Sequence, residues 1–249
     1  MKIWKKLSLV IIAAASLLGF FALIYSSSPY RALRPYGWFG KKLPDALGVS
    51  NETVENRVRV LIPGEGEMED FYIDQIPVTI GDYKKCVESG ACEMHHYRDN
   101  FLKMWTDPFY ASFPVSFVVW EEARQYCLSK GGDLPTAAQW SFAASNGSGS
   151  LYAWGDQDPT MALANADGFY QSLTPAGWLP RGASASGLLD MNGNVREWVL
   201  DENPDQSGGR ALKGGAFTDG FADVSNESIL YHYPISAGLN RGFRCVYPK

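Results

Sequence analysis

Histidine is scarce in this 249-residue chain, which has only His95, His96 and His232. An iron site of two histidines and one carboxylate, with its other positions open, needs two of them to converge. His95 and His96 are adjacent and on an extended segment point opposite ways, so at most one can join His232. Excess positive charge is also missing: 22 Lys and Arg against 27 Asp and Glu leave a net charge of −5. That balance excludes the basic footprint of a nucleic-acid partner. No internal repeat is present, and no nucleophile elbow. Ser184-Ala185-Ser186 and Ser145-Asn146-Gly147-Ser148 sit in loop-like stretches without a strand before and a helix after.

One long apolar run is present, at the start. Lys2, Lys5 and Lys6 precede an uncharged stretch from Leu7 to Tyr25. It is long for a signal-peptide core and suits a spanning helix, with the lysines favouring a cytoplasmic N-terminus. Ser26-Ser27-Ser28-Pro29 follows, without a small-x-small cleavage site or a cysteine for lipidation. Residues 1–25 therefore read as an uncleaved signal anchor and single-pass transmembrane helix in the inner (cytoplasmic) membrane. The alternative is a cleaved secretory signal. Either way the remainder is exported, to the periplasm or outside the cell. Residues 26–53 read as a linker and 54–249 as one domain, long enough to bury a large core.

The four cysteines are Cys86, Cys92, Cys127 and Cys245. An even number in an exported chain points to disulfides, with three pairings open. Cys86 and Cys92 flank the stop signal Gly90 and close a small loop easily, which leaves Cys127 for Cys245. A redox or copper-binding cysteine pair is the competing reading.

Arg57–Ile62 and 70–76 alternate as short strands. Thr79, with Asp82 three residues on, caps a helix running to Ser89. Residues 91–113 read as an irregular aromatic segment. Trp120–Lys130 reads as a second helix stopped by Gly131-Gly132, and Thr136-Ala137-Ala138-Gln139 as a capping box opening a third, to Ala144. Beyond Ser145 the chain reads as loops and short strands. The class is α+β, irregular and loop-rich.

Several stretches, in order, carry a resemblance: Tyr72-Ile73-Asp74, Pro77-Val78-Thr79, Pro114-Val115-Ser116, Trp120-Glu121-Glu122-Ala123, Leu134–Trp140, Tyr152–Gly155, Gly187–Trp198, Lys213–Phe217 and Gly242–Cys245. Together they resemble the formylglycine-generating enzyme (sulfatase-modifying factor) family. The resemblance implies that family's irregular, C-type-lectin-like fold. It also implies that GLLDMNGNVREW (187–198) binds calcium, with Asp190 and Glu197 giving side-chain oxygens and Gly193 and Val195 backbone carbonyls. An oxygen shell of that kind suits Ca²⁺. The EF-hand reading fails, because the glycine is misplaced and the glutamate comes at position eight. A second family calcium site maps onto Asn165, Ala166 and Asp167, with a shortened loop. On this reading Glu197→Gln weakens the calcium response and leaves the metal-free protein nearly unchanged.

The family's copper-binding cysteine pair, set five apart before Gly-Phe-Arg-Cys, has no counterpart: 224–240 holds no cysteine. Soft thiolates hold Cu(I), so neither copper nor formylglycine generation is expected. Glu227, Tyr231 and His232 lie where the family's groove falls and are the remaining catalytic candidates, for iron among other chemistries. A histidine among tyrosines is more often a packed residue than a ligand. Trp154, Trp178, Trp198 and Phe217 line either that groove or the core. Two functions follow: an anchored, calcium-stabilised binding or accessory module meeting an envelope protein or peptide, or an oxidoreductase of the non-haem-iron or pyoverdine-maturation type.

Overall fold

The computed structural model describes residues 51–54, 57–94, 99–205 and 208–249. The anchor at 1–25, most of the linker, and His95 and His96 lie outside the described residues. No helix among the described residues is long and apolar enough to cross a membrane.

The first sheet orders β1 (Asn51–Val54), β2 (Arg57–Ile62), β3 (Phe71–Asp74) and β8 (Val246–Pro248), all antiparallel. The expected 53/54 domain boundary therefore falls at the end of β1, which pairs Asn51 with Val60. The second sheet orders β6 (Ile229–His232), β5 (Arg210–Lys213), β4 (Arg196–Glu202) and β7 (Arg241–Gly242), with β4 and β7 parallel.

Helices form where caps and spacing agree. In α1 (Ile80–Glu88), Thr79 Oγ1 accepts the Asp82 amide, and Ile80, Tyr83 and Cys86 bury one face at helical spacing. Residues 91–113 are more regular than expected. They hold α2 (Asp99–Thr106) and a 3-10 turn, Pro108–Tyr110, whose Phe109 amide is capped by Asp107 Oδ1 at 2.9 Å. The aromatic crowding there masked a helical spacing that lets Met104 and Trp105 pack on the core. In α3 (Trp120–Ser129), Glu122 Oε2 accepts the Val119 amide at 2.9 Å, and Gly131 at φ 79° lies just past the end. The capping box on α4 (Ala137–Ser145) is present in both directions, at 3.1 and 3.0 Å.

Both disulfides take the expected pairing, Cys86–Cys92 and Cys127–Cys245, with Cα separations of 5.3 and 5.4 Å. The longer bridge borders a core of Tyr83, Tyr126 and Phe243, whose ring centroids lie 5.4–6.2 Å apart. A second core gathers Trp140, Ile62, Ile73 and Met191. Strand β4 runs between the two: Trp198 packs in the first core and Val199 in the second. A strand buried on both faces leaves its polar residues no solvent, and they must pair inside.

Candidate functional site

The stretch 190–197 crosses from a loop into β4 through a tight knot. Asp190, Gly193 and Asn194 all have positive φ, at 53°, 93° and 66°. A Cβ on Gly193 would lie 2.4 Å from the Asn165 carbonyl oxygen, so only glycine fits there. The asparagines tie distant loops together. Asn192 accepts the Ala153 amide at 2.7 Å and donates to Val224 O and Asn226 Oδ1. Asn194 accepts the Thr174 amide, and donates to Thr174 O and Asp190 Oδ2. The sequence marks these residues only as turn formers. Their hub role depends on partners 20 to 39 residues away.

Asp190 is a carboxylate without an ion pair among the described residues. Its two bonds, from Gly177 N at 2.8 Å and Asn194 Nδ2 at 3.2 Å, both fall on Oδ2. Burial pushes its carboxyl up to about 6; those bonds and Arg244 pull it down, and the neighbouring Glu197 pushes it further up. Of the two charges near it, Arg244 acts on Asp190 more strongly than Glu197 does.

Glu197 sits differently from the sequence expectation. It is fully buried and held in a fork by Arg244, with Nε to Oε2 at 2.7 Å and Nη2 to Oε1 at 2.8 Å. Trp140 Nε1 donates to Oε2 at 2.8 Å. Arg244, also fully buried, gives its other three N–H groups to the carbonyls of Asp74, Gln75 and Leu189, so its donors are all used. Glu197→Gln therefore cannot leave the metal-free protein unchanged, as the sequence reading held. The Glu197–Arg244 pair was missed because its partners lie 47 residues apart.

The residues present fit a calcium shell in outline. Asp190 Oδ1 and a lone pair on Glu197 Oε1 remain free of the bonds described. Outside helices and strands, no backbone bond among the described residues ends on Gly193 O or Val195 O. No three His, Cys, Asp or Glu side chains gather into a metal group among the described residues, so such a shell must draw on carbonyls. In the second set, Asn165 is buried and its Oδ1 has no partner, while Nδ2 donates to Ser172 O at 2.8 Å. Ala166 O already accepts the Phe169 amide, and Asp167 is an exposed residue at φ 50°. The orphan Asn165 oxygen is the observation that favours a cation there.

The three catalytic candidates do not converge. Tyr231 and His232 are neighbours on β6 and so face opposite sides. Tyr231 pairs with Ala211 and packs on the second core; His232 pairs with Arg210 on the other face. Glu227 is exposed in the turn before β6, and its charge acts on Lys213. Burial, Arg241 and Arg196 hold the His232 imidazole below the usual range, surroundings that repel a metal cation. Trp198 and Phe217 belong to the core, whereas Trp154 and Trp178 are partly exposed.

This knot-and-sheet arrangement defines a loop-rich, C-type-lectin-like α+β domain. Residues 50–249 match the Sulfatase-modifying factor enzyme 1-like domain, and the chain belongs to that family. Over 152 residues it is 32% identical to the inactive C-alpha-formylglycine-generating enzyme 2 of Bos taurus, covering 54% of this chain and 50% of that one. Over 163 residues it is 42% identical to a hercynine oxygenase of Mycolicibacterium thermoresistibile, covering 52% and 35%. The chain thus spans half or less of these relatives. The structure of PvdO from Pseudomonas aeruginosa shares the fold, with a TM-score of 0.64 at 19% identity over 83% of this chain and 99% of that one.

Proposed function

We propose that this domain is a calcium-stabilised binding or accessory module of the cell envelope, tethered by residues 1–25 and without formylglycine-generating activity. One observation carries the reading: all four cysteines of the sequence are disulfide-bonded, so no thiol pair remains for Cu(I). The separation of Tyr231 from His232 across β6 supports it, and so does the likeness to an inactive relative. The test is a cysteine-containing acceptor peptide incubated with the purified chain and copper. Unchanged peptide mass is expected; conversion of cysteine to formylglycine would sink the reading.

Calcium would be held by Asp190, Gly193 and Val195, with Glu197 contributing Oε1 while Arg244 keeps its fork. Arg244 neutralises one of the two carboxylates, and ligand charge count tunes calcium affinity. The dissociation constant should therefore fall in the weak range, about 10⁻⁴–10⁻³ M. About 10 mM calcium should then stabilise the chain by roughly 1.4–2.7 kcal/mol, and Mg²⁺, which demands a tighter octahedral shell, by much less. Melting curves in chelator and in each ion check this. Asp190→Asn should abolish the calcium shift, and identical curves in chelator and calcium would leave the loop a hydrogen-bonded turn.

The anchor reading predicts that residues 1–25 stay attached. Fractionation and N-terminal sequencing should find the intact chain in the membrane pellet, extracted only by detergent. A soluble form beginning near residue 26 would show a cleaved signal instead.

A second reading, an oxidoreductase using other residues of the same groove, is favoured by the identity to a hercynine oxygenase. Oxygen uptake by the iron-loaded chain distinguishes it from the binding module.

A further inference from the structure

Two arginines stand side by side on the second sheet. Arg196 of β4 and Arg241 of β7 are Cα partners in a parallel ladder, so both side chains leave the same face. Arg196 has a carboxylate, with Nη2 2.7 Å from Asp219 Oδ2. Asp219 is otherwise engaged, accepting the Ala216 amide on Oδ2 and the Thr218 hydroxyl on Oδ1. Arg241 has no ion pair among the described residues, and its buried Nε finds no acceptor. Its guanidinium lies against Gly238: a Cβ added there would sit 2.6 Å from Nη1 and 3.0 Å from Asn240 Oδ1. Burial and the Arg196 charge both disfavour its cation. A half-buried cation beside a like charge, with an orphan donor, is costly unless something satisfies it.

The surroundings point the same way. His232 is close enough that Arg241 and Arg196 both depress its charging. The Gly238 carbonyl accepts the amide of Phe117, a bulky residue at φ 59°. Next to it, Ser116 Oγ is buried without a partner. Backbone held in the left-handed region by a non-glycine residue is concentrated at binding and catalytic sites. Leu230, two residues before His232 and so on the same strand face, is 38% exposed, and Tyr233 and Ile235 just beyond are 59% and 77% exposed.

We propose that Arg241, flanked by Arg196 and His232, receives one carboxylate from a ligand whose remaining body is apolar. The charge balance selects this chemistry. Arg196 and Arg241 give two positive charges, Asp219 removes one, and His232 is neutral near pH 7, leaving a single positive charge for a monoanion. A guanidinium fork matches a carboxylate geometrically, and Leu230, Tyr233 and Ile235 offer surface to an apolar body. The inference rests on the binding-module reading for its biological role and names the ligand class that this face of the second sheet would take.

The probes are N-acetyl-leucine, its neutral amide N-acetyl-leucinamide, and inorganic phosphate, titrated into the full chain in detergent and followed by NMR shifts of the His232 ring. N-acetyl-leucine should bind saturably, and the amide about tenfold or more weaker, since a charge-assisted pair is lost. Arg241→Gln should weaken the acid to the level of the amide, and Arg241→Lys should restore part of the affinity. Equal binding of acid and amide to the parent chain overturns the proposal without any mutant having to fold, as does an absence of saturable binding. Tighter binding of phosphate than of N-acetyl-leucine overturns the choice of a carboxylate. The calcium melting shift is read on the same sample: if it persists while carboxylate binding fails, only this inference falls.

Discussion

Glu197→Gln should destabilise the domain by about 3–5 kcal/mol, in chelator as well as in calcium, because it breaks a buried ion pair by removing one partner. Arg244 would then keep a full charge with no carboxylate, at a position with no exposure to solvent. Its remaining bonds to the carbonyls of Asp74, Gln75 and Leu189 do not neutralise it. For a domain of this size the melting temperature should drop by roughly 10 °C or more. Arg244→Met should cost a similar amount for the opposite reason, since Glu197 would be left with Trp140 Nε1 as its donor and the Asp74 and Leu189 carbonyls would lose the guanidinium, while Gln75 O keeps the Leu189 amide. The double variant Glu197→Met/Arg244→Met should be less damaged than the sum of the two. Breaking the pair from both sides removes the stranded charge, although the orphaned carbonyls remain. A urea double-mutant cycle reads the coupling directly. Singles within 1 kcal/mol of the parent would mean that the pair does not organise the core.

Cys127→Ser should be the second large loss. The Cys127–Cys245 bridge closes 118 residues and the Cys86–Cys92 bridge closes 6. On the loop-entropy account the two are worth about 5 and about 2 kcal/mol. Both bridges are buried in the same core, Cys127 and Cys245 beside Tyr126 and Phe243 and Cys86 and Cys92 at its edge under the exposed turn at 88–91, so loop length sets the difference. Equilibrium urea unfolding of Cys127→Ser and Cys86→Ser under oxidising conditions compares them. Equal midpoints, or a lower midpoint for Cys86→Ser, would contradict the assignment of the main staple to the longer loop.

Much of the fold was legible because it is written locally. Thr79 with Asp82 and Thr136 with Gln139 mark helix starts through side chains that reach only three residues, and both are formed as read. The order of short motifs from Tyr72 to Cys245 was enough to place the family. The segment 91–113 was misread for a local reason too: its aromatics obscured the helix that carries Met104 and Trp105. The candidate site was less legible. Glu197 reads in sequence as an accessible acid beside a glycine turn, yet the structure forks it to an arginine 47 residues away. Tyr231 and His232 read as one cluster and are divided by the pleat of β6. Arg196 and Arg241 carry no sequence signal of a site, because only the parallel pairing of β4 with β7 makes them neighbours.

The sequence by itself therefore determined the α+β class, the short Cys86–Cys92 loop that leaves Cys127 for Cys245, the lack of cysteine in 224–240, and a tight turn rich in glycine and asparagine. Each of these follows from residue identity, or from contacts within a few positions along the chain. The tertiary structure alone decided where the charges go. β4 is enclosed by two apolar cores, and a buried carboxylate or guanidinium must find a partner wherever the fold brings one. That constraint drew Glu197 to Arg244 and Arg196 to Asp219, and it left the buried Nε of Arg241 without an acceptor.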